Sequence, residues 1–461
     1  MGFRFIIVFF LFPFLVDSFQ NIYDLTWTKT SWRGKVPYQI PVYPSPKKLE
    51  DMVHLLEKQP PLIFVEEADQ LQRELIQVAK GNRFLFIGGD CAESISEFSV
   101  ATVKDYCKFM LQIGVLISMS TGLRTVKIGR IAGQFAKPRS QEFENVDGKQ
   151  YLSYRGDIIN DRELESRTPC PKRMLAAYVQ AVGTLNLLRA FTKSGFASLD
   201  SFADWYIDSI SFGTQRKIFD DLQAFLTVLQ GFGVSPMTHR NFQETILYSG
   251  HECLLLPYEE AFTRLDPRNH RPFACSGHFL WLGERTRKLD AAQVEYLRGI
   301  HNPIGIKVSH QYDSHELLDI IQRLNPSDQM GKIVIMTRFG AKHVYRLPKL
   351  IKLIQEHKLN VVWVCDPMHA NTYELSNVKT RSIRDIQYEI EAFFRYHHEL
   401  NTIAGGIHLE MTPSNVSEVV SSKQNYIDHE RYTTQCDPRL NGEQTLEVVQ
   451  YTVNQYNRYK N

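Results

Sequence analysis

The chain of 461 residues carries 53 Lys and Arg against 51 Asp and Glu, a formal charge of +2. That balance argues against a general polyanion binder such as a nucleic-acid protein, whose cations are in excess or gathered on one face. With 43% hydrophobic and 23% charged residues, the make-up is that of a soluble globular protein, either one large domain with insertions or two domains.

Residues 1–20, MGFRFIIVFFLFPFLVDSFQ, hold an apolar run from Phe5 to Val16. The run is shorter than the roughly 20 residues a membrane-spanning helix needs, so the mature protein is expected not to span a membrane. It fits the core of a signal peptide with a poor cleavage site, or an apolar extension, and lacks the Ser and Arg richness of a transit peptide. The seven cysteines are odd in number and form no CxxC, which suits a reducing compartment rather than a disulfide framework. Leader and cysteines therefore point in different directions.

Residues 21–80 read as an N-terminal extension, proline-rich from Pro37 to Pro61 and closed by a helix over 67–80 with Leu71, Leu75, Val78 and Ala79 on one face. From residue 81 to 461, short apolar strands alternate with helices: RFLFIGGD (83–90), TVKIG (125–129), HFLWLG (278–283), PIGIKVS (303–309), KIVIMTR (332–338), NVVWVCD (360–366) and IAGGIHLE (403–410). Helices are predicted over 171–193 and 382–400, and a helical insertion over about 196–275. Alternation of this kind means a parallel sheet. An eighth strand, at Asp204–Ile210 or His251–Leu256, would close a (β/α)8 barrel with an N-terminal extension and an inserted helical segment. The chemically able residues sit at the strand ends: Cys91, Arg130, Glu284 with Arg285, Lys307, Arg338, His369 and Glu410. A barrel brings such positions to one mouth. No G-x-G-x-x-G, Walker or G-x-S-x-G stretch offers another chemistry.

RTVKIGRIAGQFAKPRS (124–140) packs five cations, Lys137 and Arg139 among them, with no acid. Together with Arg130, Arg285, Lys307 and Arg338 they predict a ligand with more than one anionic group, since cations are costly to bury without anions. The competing reading pairs each cation with a structural carboxylate. Cys91, His369, Glu410 and Asp437 lie beside Gly or Pro and form a mixed S, N, O, O set. Such a set suits a divalent manganese, iron, cobalt or zinc ion. His251, His278 and His408 compete as ligands or are packed structure.

GGDCAES (88–94), IAGQFAKPRS (131–140), GERTR (283–287), CDPMHANT (365–372), GGIHLEMT (405–412) and CDPRLN (436–441) resemble class II 3-deoxy-D-arabino-heptulosonate 7-phosphate (DAHP) synthases, from about Trp27 to Tyr456. The resemblance implies a (β/α)8 barrel that condenses phosphoenolpyruvate with D-erythrose 4-phosphate and releases phosphate, the entry step of the shikimate pathway. It implies Cys91, His369, Glu410 and Asp437 as ligands of a divalent metal, manganese foremost with cobalt, iron or zinc as alternatives. Arg130, Glu284, Arg285, Lys307 and Arg338 are implied for phosphoenolpyruvate, with Lys307, Arg130 and Arg338 closest to the chemistry. Lys137, Arg139, Ser140 and Arg285 are implied for the sugar phosphate. A homo-oligomer (dimer or tetramer) in plastid or cytoplasm is also implied. A relative using an amino-sugar phosphate, or a non-catalytic barrel, is the alternative. The chain departs from the family pattern at Ala370, where glycine is common, at Gln435, at LDAAQVE (289–295) and in the loop 421–432. Cys436 adjoins Asp437, so a disulfide to Cys91 would remove the thiolate a metal needs.

Overall fold

In the computed structural model, residues 27–146, 148–193, 196–197, 214–233, 244–421 and 425–460 are described. Eight parallel strands close into a barrel in chain order. They are β1 (Arg83–Gly89), β2 (Arg124–Arg130), β3 (Tyr248–Glu252), β4 (Phe279–Leu282), β5 (Ile304–Val308), β6 (Ile333–Thr337), β7 (Val361–Cys365) and β8 (Ala404–Glu410). Two helices precede the barrel, α1 (Pro46–Glu57) and α2 (Val65–Ala79). The others are α3 (Val100–Thr121), α4 (Lys172–Lys193), α5 (Thr214–Gly231), α6 (Leu256–Ala261), α7 (Ala292–Arg298), α8 (Ser314–Leu324), α9 (Leu347–Glu356), α10 (Ile383–Glu399) and α11 (Gly442–Tyr459). Every strand is thus followed by a helix, and α4 with α5 stand between β2 and β3.

Each strand alternates between two apolar layers, as the two-residue period of a strand requires. Leu85 and Ile87 point into the barrel with Val126, Ile128, Phe279, Trp281, Val334 and Val364, whereas Phe84 and Phe86 join the outer core under the helices. The α2 face foreseen from periodicity, Leu71, Leu75 and Val78, is fully buried and belongs to the interior layer, so α2 seals one end of the barrel. Each such side chain contributes about 1.5–3 kcal/mol by leaving water. Helix ends follow local chemistry: Ser45 accepts from Lys48 N–H ahead of Pro46, and Asn441 with Gln444 forms a reciprocal capping box on α11. α4 is long and apolar enough to cross a membrane by length and composition, but its Met174, Ala177, Ala181, Leu185 and Leu188 pack into the core.

Two expectations are corrected. The third barrel strand is Tyr248–Glu252, which overlaps only the start of the His251–Leu256 candidate; Asp204–Ile210 lies outside the described residues. The helical insertion does not extend to residue 275, because that span also carries β3, α6 and a hairpin, Thr263–Leu265 with Pro272–Ala274. YSGHE lacks the apolar run of the other strands. It is tolerated in the core because Ser249 bonds His278 Nδ1 at 3.0 Å and His251 bonds Glu259 at 2.7 Å.

Candidate active site

The barrel register fixes the centre of the site. Gly89, last in β1, pairs with Arg130 on one side and Glu410 on the other, so these two side chains rise from adjacent strand ends. Gly89 has φ +142°, and a Cβ there would lie 2.9 Å from Arg130 O; glycine lets the chain turn here toward Asp90 and Cys91. The loop 131–140 is shaped from below by Glu93, whose carboxylate accepts from the N–H groups of Ala132, Gly133 and Gln134 at 2.8–2.9 Å. The loop bearing Cys436 and Asp437 is pinned by Arg439, which donates to Asp90 at 2.8 Å and to Glu418 at 2.7 Å.

Donor atoms of His369, Glu410 and Asp437 lie within 4.8 Å of one another. Glu410 is fully buried, with His369 Nε2 3.2 Å from its Oε1 and Arg381 donating to its Oε2 at 2.7 Å. The Lys137 ammonium lies 3.2 Å from Glu410 and 2.8 Å from Asp437. Burial opposes charge on Glu410, yet His369, Lys137 and Arg381 hold it well below the usual carboxylate range. Cys91 stands apart from this three-residue group. Its thiol faces Thr434 Oγ1 at 3.4 Å and the Cys436 thiol, within electrostatic reach of Lys137 and Glu410. Hydrogen bonding with Cys436, aided by Lys137 against burial, lowers the Cys91 pKa and so favours thiolate. A half-buried imidazole and carboxylate, the buried Glu410 and a thiol of lowered pKa fit a divalent transition metal.

Beside this group opens a cavity of about 400 Å3, lined by Arg130, Lys137, Arg139, Arg285, Lys307 and Arg338 together with Trp281 and Glu284. Trp281 forms its floor: the Arg130 guanidinium lies 5.2 Å and the Lys307 ammonium 5.9 Å from the ring centroid. Arg130 is buried and donates to Asp90 O (2.7 Å), Cys91 O (3.0 Å), His408 Nε2 (2.9 Å) and Glu410 (3.3 Å). Lys307 is paired with Asp366, and burial pushes its ammonium down to about 8 although Asp366 opposes that. Arg338 differs: its Nε is buried without a hydrogen bond, and among the described residues no carboxylate pairs with it. A charge left so is what an anionic ligand would satisfy.

The remaining residues divide. Glu284 accepts from Ser309 N–H (2.9 Å) and Arg287 (2.6 Å), so its carboxylate braces the loop after β5. Arg285 is exposed and donates to Ser140 Oγ at 2.7 Å, whereas Arg139 is paired with Glu144. Carboxylates thus meet Arg139 (Glu144), Arg130 and Lys137 (Glu410) and Lys307 (Asp366), as the structural-carboxylate reading has it, whereas among the described residues none pairs with Arg338 or Arg285. Of the competing histidines, His251 and His278 make structural hydrogen bonds away from the metal group, and His408 sits between Arg130 and Lys307. Asp366 and Arg381 are fully buried members of the site that sequence reasoning passed over. A larger cavity of about 800 Å3, lined by α2, α3, α4, α5, the starts of β2 and β3 and His278, holds none of the expected metal ligands or substrate cations.

A (β/α)8 barrel with a metal-ligand group and a basic, aromatic-floored cavity at its C-terminal mouth defines a metal-dependent enzyme acting on anionic small molecules. The model of the class-II DAHP synthetase family matches residues 27–453, and the chain belongs to that family. It is 39% identical over 430 residues to a phospho-2-dehydro-3-deoxyheptonate aldolase of Streptomyces coelicolor, covering 91% of this chain and 95% of that one. It is 36% identical over 455 residues to the protein of the same name from Neurospora crassa, covering 93% and 94%. A solved phospho-2-dehydro-3-deoxyheptonate aldolase from Francisella tularensis SCHU S4 superposes with a TM-score of 0.51 at 12% identity, over 90% of this chain and 97% of that chain, and bears out the fold alone.

Proposed function

We infer that the protein condenses phosphoenolpyruvate with D-erythrose 4-phosphate and water to give DAHP and inorganic phosphate. One observation carries this reading: Arg130, Lys307 and the unpaired Arg338 converge on one cavity beside His369, Glu410 and Asp437. Carbon 3 of phosphoenolpyruvate bonds to the aldehyde carbon, whose oxygen gains a proton; water adds at carbon 2, and the carbon–oxygen bond to phosphate breaks. Arg130, Lys307 and Arg338 hold the phosphate and carboxylate of phosphoenolpyruvate by charge-assisted hydrogen bonds. Trp281 keeps water from the underside. Lys307 carries or delivers a proton, as a buried ammonium with a pKa lowered to about 8 is suited to do. Arg285 and Ser140, with Arg139 and Lys137 behind them, receive the sugar phosphate.

His369, Glu410 and Asp437, joined by Cys91, would hold the divalent metal, manganese in this reading, which supplies Lewis acidity toward the aldehyde oxygen. The adjacency of the Cys91 and Cys436 thiols supports a reversible disulfide between them, checked by peptide mass mapping of oxidised, metal-free protein. A homo-oligomer is expected in solution, and plastid or cytoplasm as its place, on the resemblance alone. Product mass after incubation with manganese, phosphoenolpyruvate and either erythrose 4-phosphate or an amino-substituted acceptor tests the function. DAHP from the first acceptor supports it; product only from the second, or none from either, contradicts it.

A further inference from the structure

Asp366 follows β7 directly, is fully buried, and touches both halves of the site. Its Oδ1 accepts from the N–H groups of Met368 (3.2 Å) and His369 (3.3 Å), which leaves it anchored to the turn that carries the proposed metal ligand. The two carboxylate oxygens lie 3.1 and 2.9 Å from His369 Nδ1. A carboxylate only accepts, so His369 donates from Nδ1 to Asp366, while its Nε2 faces a second carboxylate, Glu410, at 3.2 Å. The same Oδ2 receives the Lys307 ammonium and lies 3.3 Å from His408 Nδ1.

His408 extends the chain of contacts. Arg130 has only donors, and its Nη1 is 2.9 Å from His408 Nε2, so that nitrogen accepts and the ring proton is on Nδ1, toward Asp366. One carboxylate thereby meets the rings of His369 and His408, holds Lys307 directly, and reaches Arg130 at one remove through His408. Carboxylate–imidazole–metal triads use the first of these contacts to orient a ligand. Here Oδ2, the oxygen nearer His369, also receives the Lys307 ammonium of the neighbouring cavity.

We propose that Asp366 is a positioning residue that joins the metal centre to the phosphoenolpyruvate cations, so that its replacement weakens both binding events at once. The proposal rests on reading His369 as a ligand and Lys307 as a substrate group. An Asn at position 366 removes the negative charge that His369 and Lys307 share at Oδ2, and its NH2 group is a donor where a second acceptor oxygen now stands. A merely structural role would lower stability and leave the affinity of the folded protein for either ligand unchanged.

The test is binding, without turnover. Calorimetric titration of the full chain with Mn2+ alone should give a Kd weaker by about 10–100-fold for Asp366→Asn than for the unaltered protein. Titration of the chelator-treated protein with phosphoenolpyruvate alone should also weaken several-fold. Unchanged affinity for either ligand in folded Asp366→Asn overturns the proposal. Because that variant could fail to fold, imidazole nitrogen NMR of the unaltered, metal-free protein gives a second reading, with the His369 signal identified by its loss in His369→Gln. A protonated Nδ1 supports the proposal, whatever the state of Nε2 beside Glu410, and an unprotonated Nδ1 overturns it. If the unaltered protein binds Mn2+ no better than His369→Gln does, the underlying assignment of the metal site fails, which differs from an intact metal site indifferent to Asp366.

Discussion

The two ends of the barrel are built on opposite principles. The end sealed by α2 is largely apolar: Leu71, Leu75 and Val78 fill it, Glu74 pairs with Arg83 at its edge, and among the described residues its buried Lys332 bonds the carbonyls of Ile300 and Asn302. The open end is ionic: Glu410 is met by Arg130, Lys137 and Arg381, Asp366 by Lys307 and two imidazoles, and among the described residues Arg338 has no carboxylate of its own. Burial of apolar area stabilises without regard to orientation, so the sealed end can supply stability. Buried ion pairs gain little net stability because desolvation offsets their attraction, so the charges at the open end are kept for binding and chemistry.

Substitutions at the two ends should therefore separate activity from stability. The largest expected effect is Lys307→Met at the open end, which should lower turnover by at least about 10²–10³-fold while the thermal unfolding transition remains cooperative. Turnover within tenfold of the unaltered protein would remove Lys307 from the chemistry. At the sealed end, Leu75→Ala should cost about 2–5 kcal/mol in urea unfolding and leave turnover of the folded protein within about twofold.

Lys332 sharpens the comparison through pH. Burial pushes its ammonium from 10.5 down to about 7. Below pH 7 both folded and unfolded chains hold the proton, and the burial penalty is complete. From pH 7 toward 10.5 the unfolded chain binds more protons than the folded one, so this group's contribution to stability rises with pH. Lys332→Met should thus stabilise most below pH 7, its advantage shrinking as pH rises. An advantage independent of pH would contradict the assignment. The smallest effect is at Ala370, beside the metal group. It adopts φ +73°, a left-handed conformation that glycine takes at less cost. Ala370→Gly should stabilise by about 0.5–1 kcal/mol, read as a shift in the urea midpoint.

Sequence reading reached these two ends unequally. The interior layer and the α2 plug were legible because apolar periodicity is local: VEEADQLQRELIQVA carries its own register. β3 was half legible, since YSGHE is stabilised by Glu259 and His278, partners that no local pattern reveals. At the open end, strand-end placement and motif resemblance named Arg130, Lys307, His369 and Glu410. Arg381 was passed over because its partner Glu410 is 29 positions away, and Asp366 because its link from nearby His369 to Lys307 spans 59 positions. The approach of Cys91 to Cys436 was legible only as a candidate disulfide beside Asp437, and the pairing of Arg139 with Glu144 five positions on went unread.

The central claim is that one ionic mouth couples two phosphorylated substrates with the help of a metal. Phosphate release from phosphoenolpyruvate, measured with and without erythrose 4-phosphate and before and after chelator treatment, tests it most directly. The account predicts release only when the sugar phosphate is present, abolished by chelator and restored by manganese. Release that ignores the second substrate, or that persists undiminished after chelation, would contradict it.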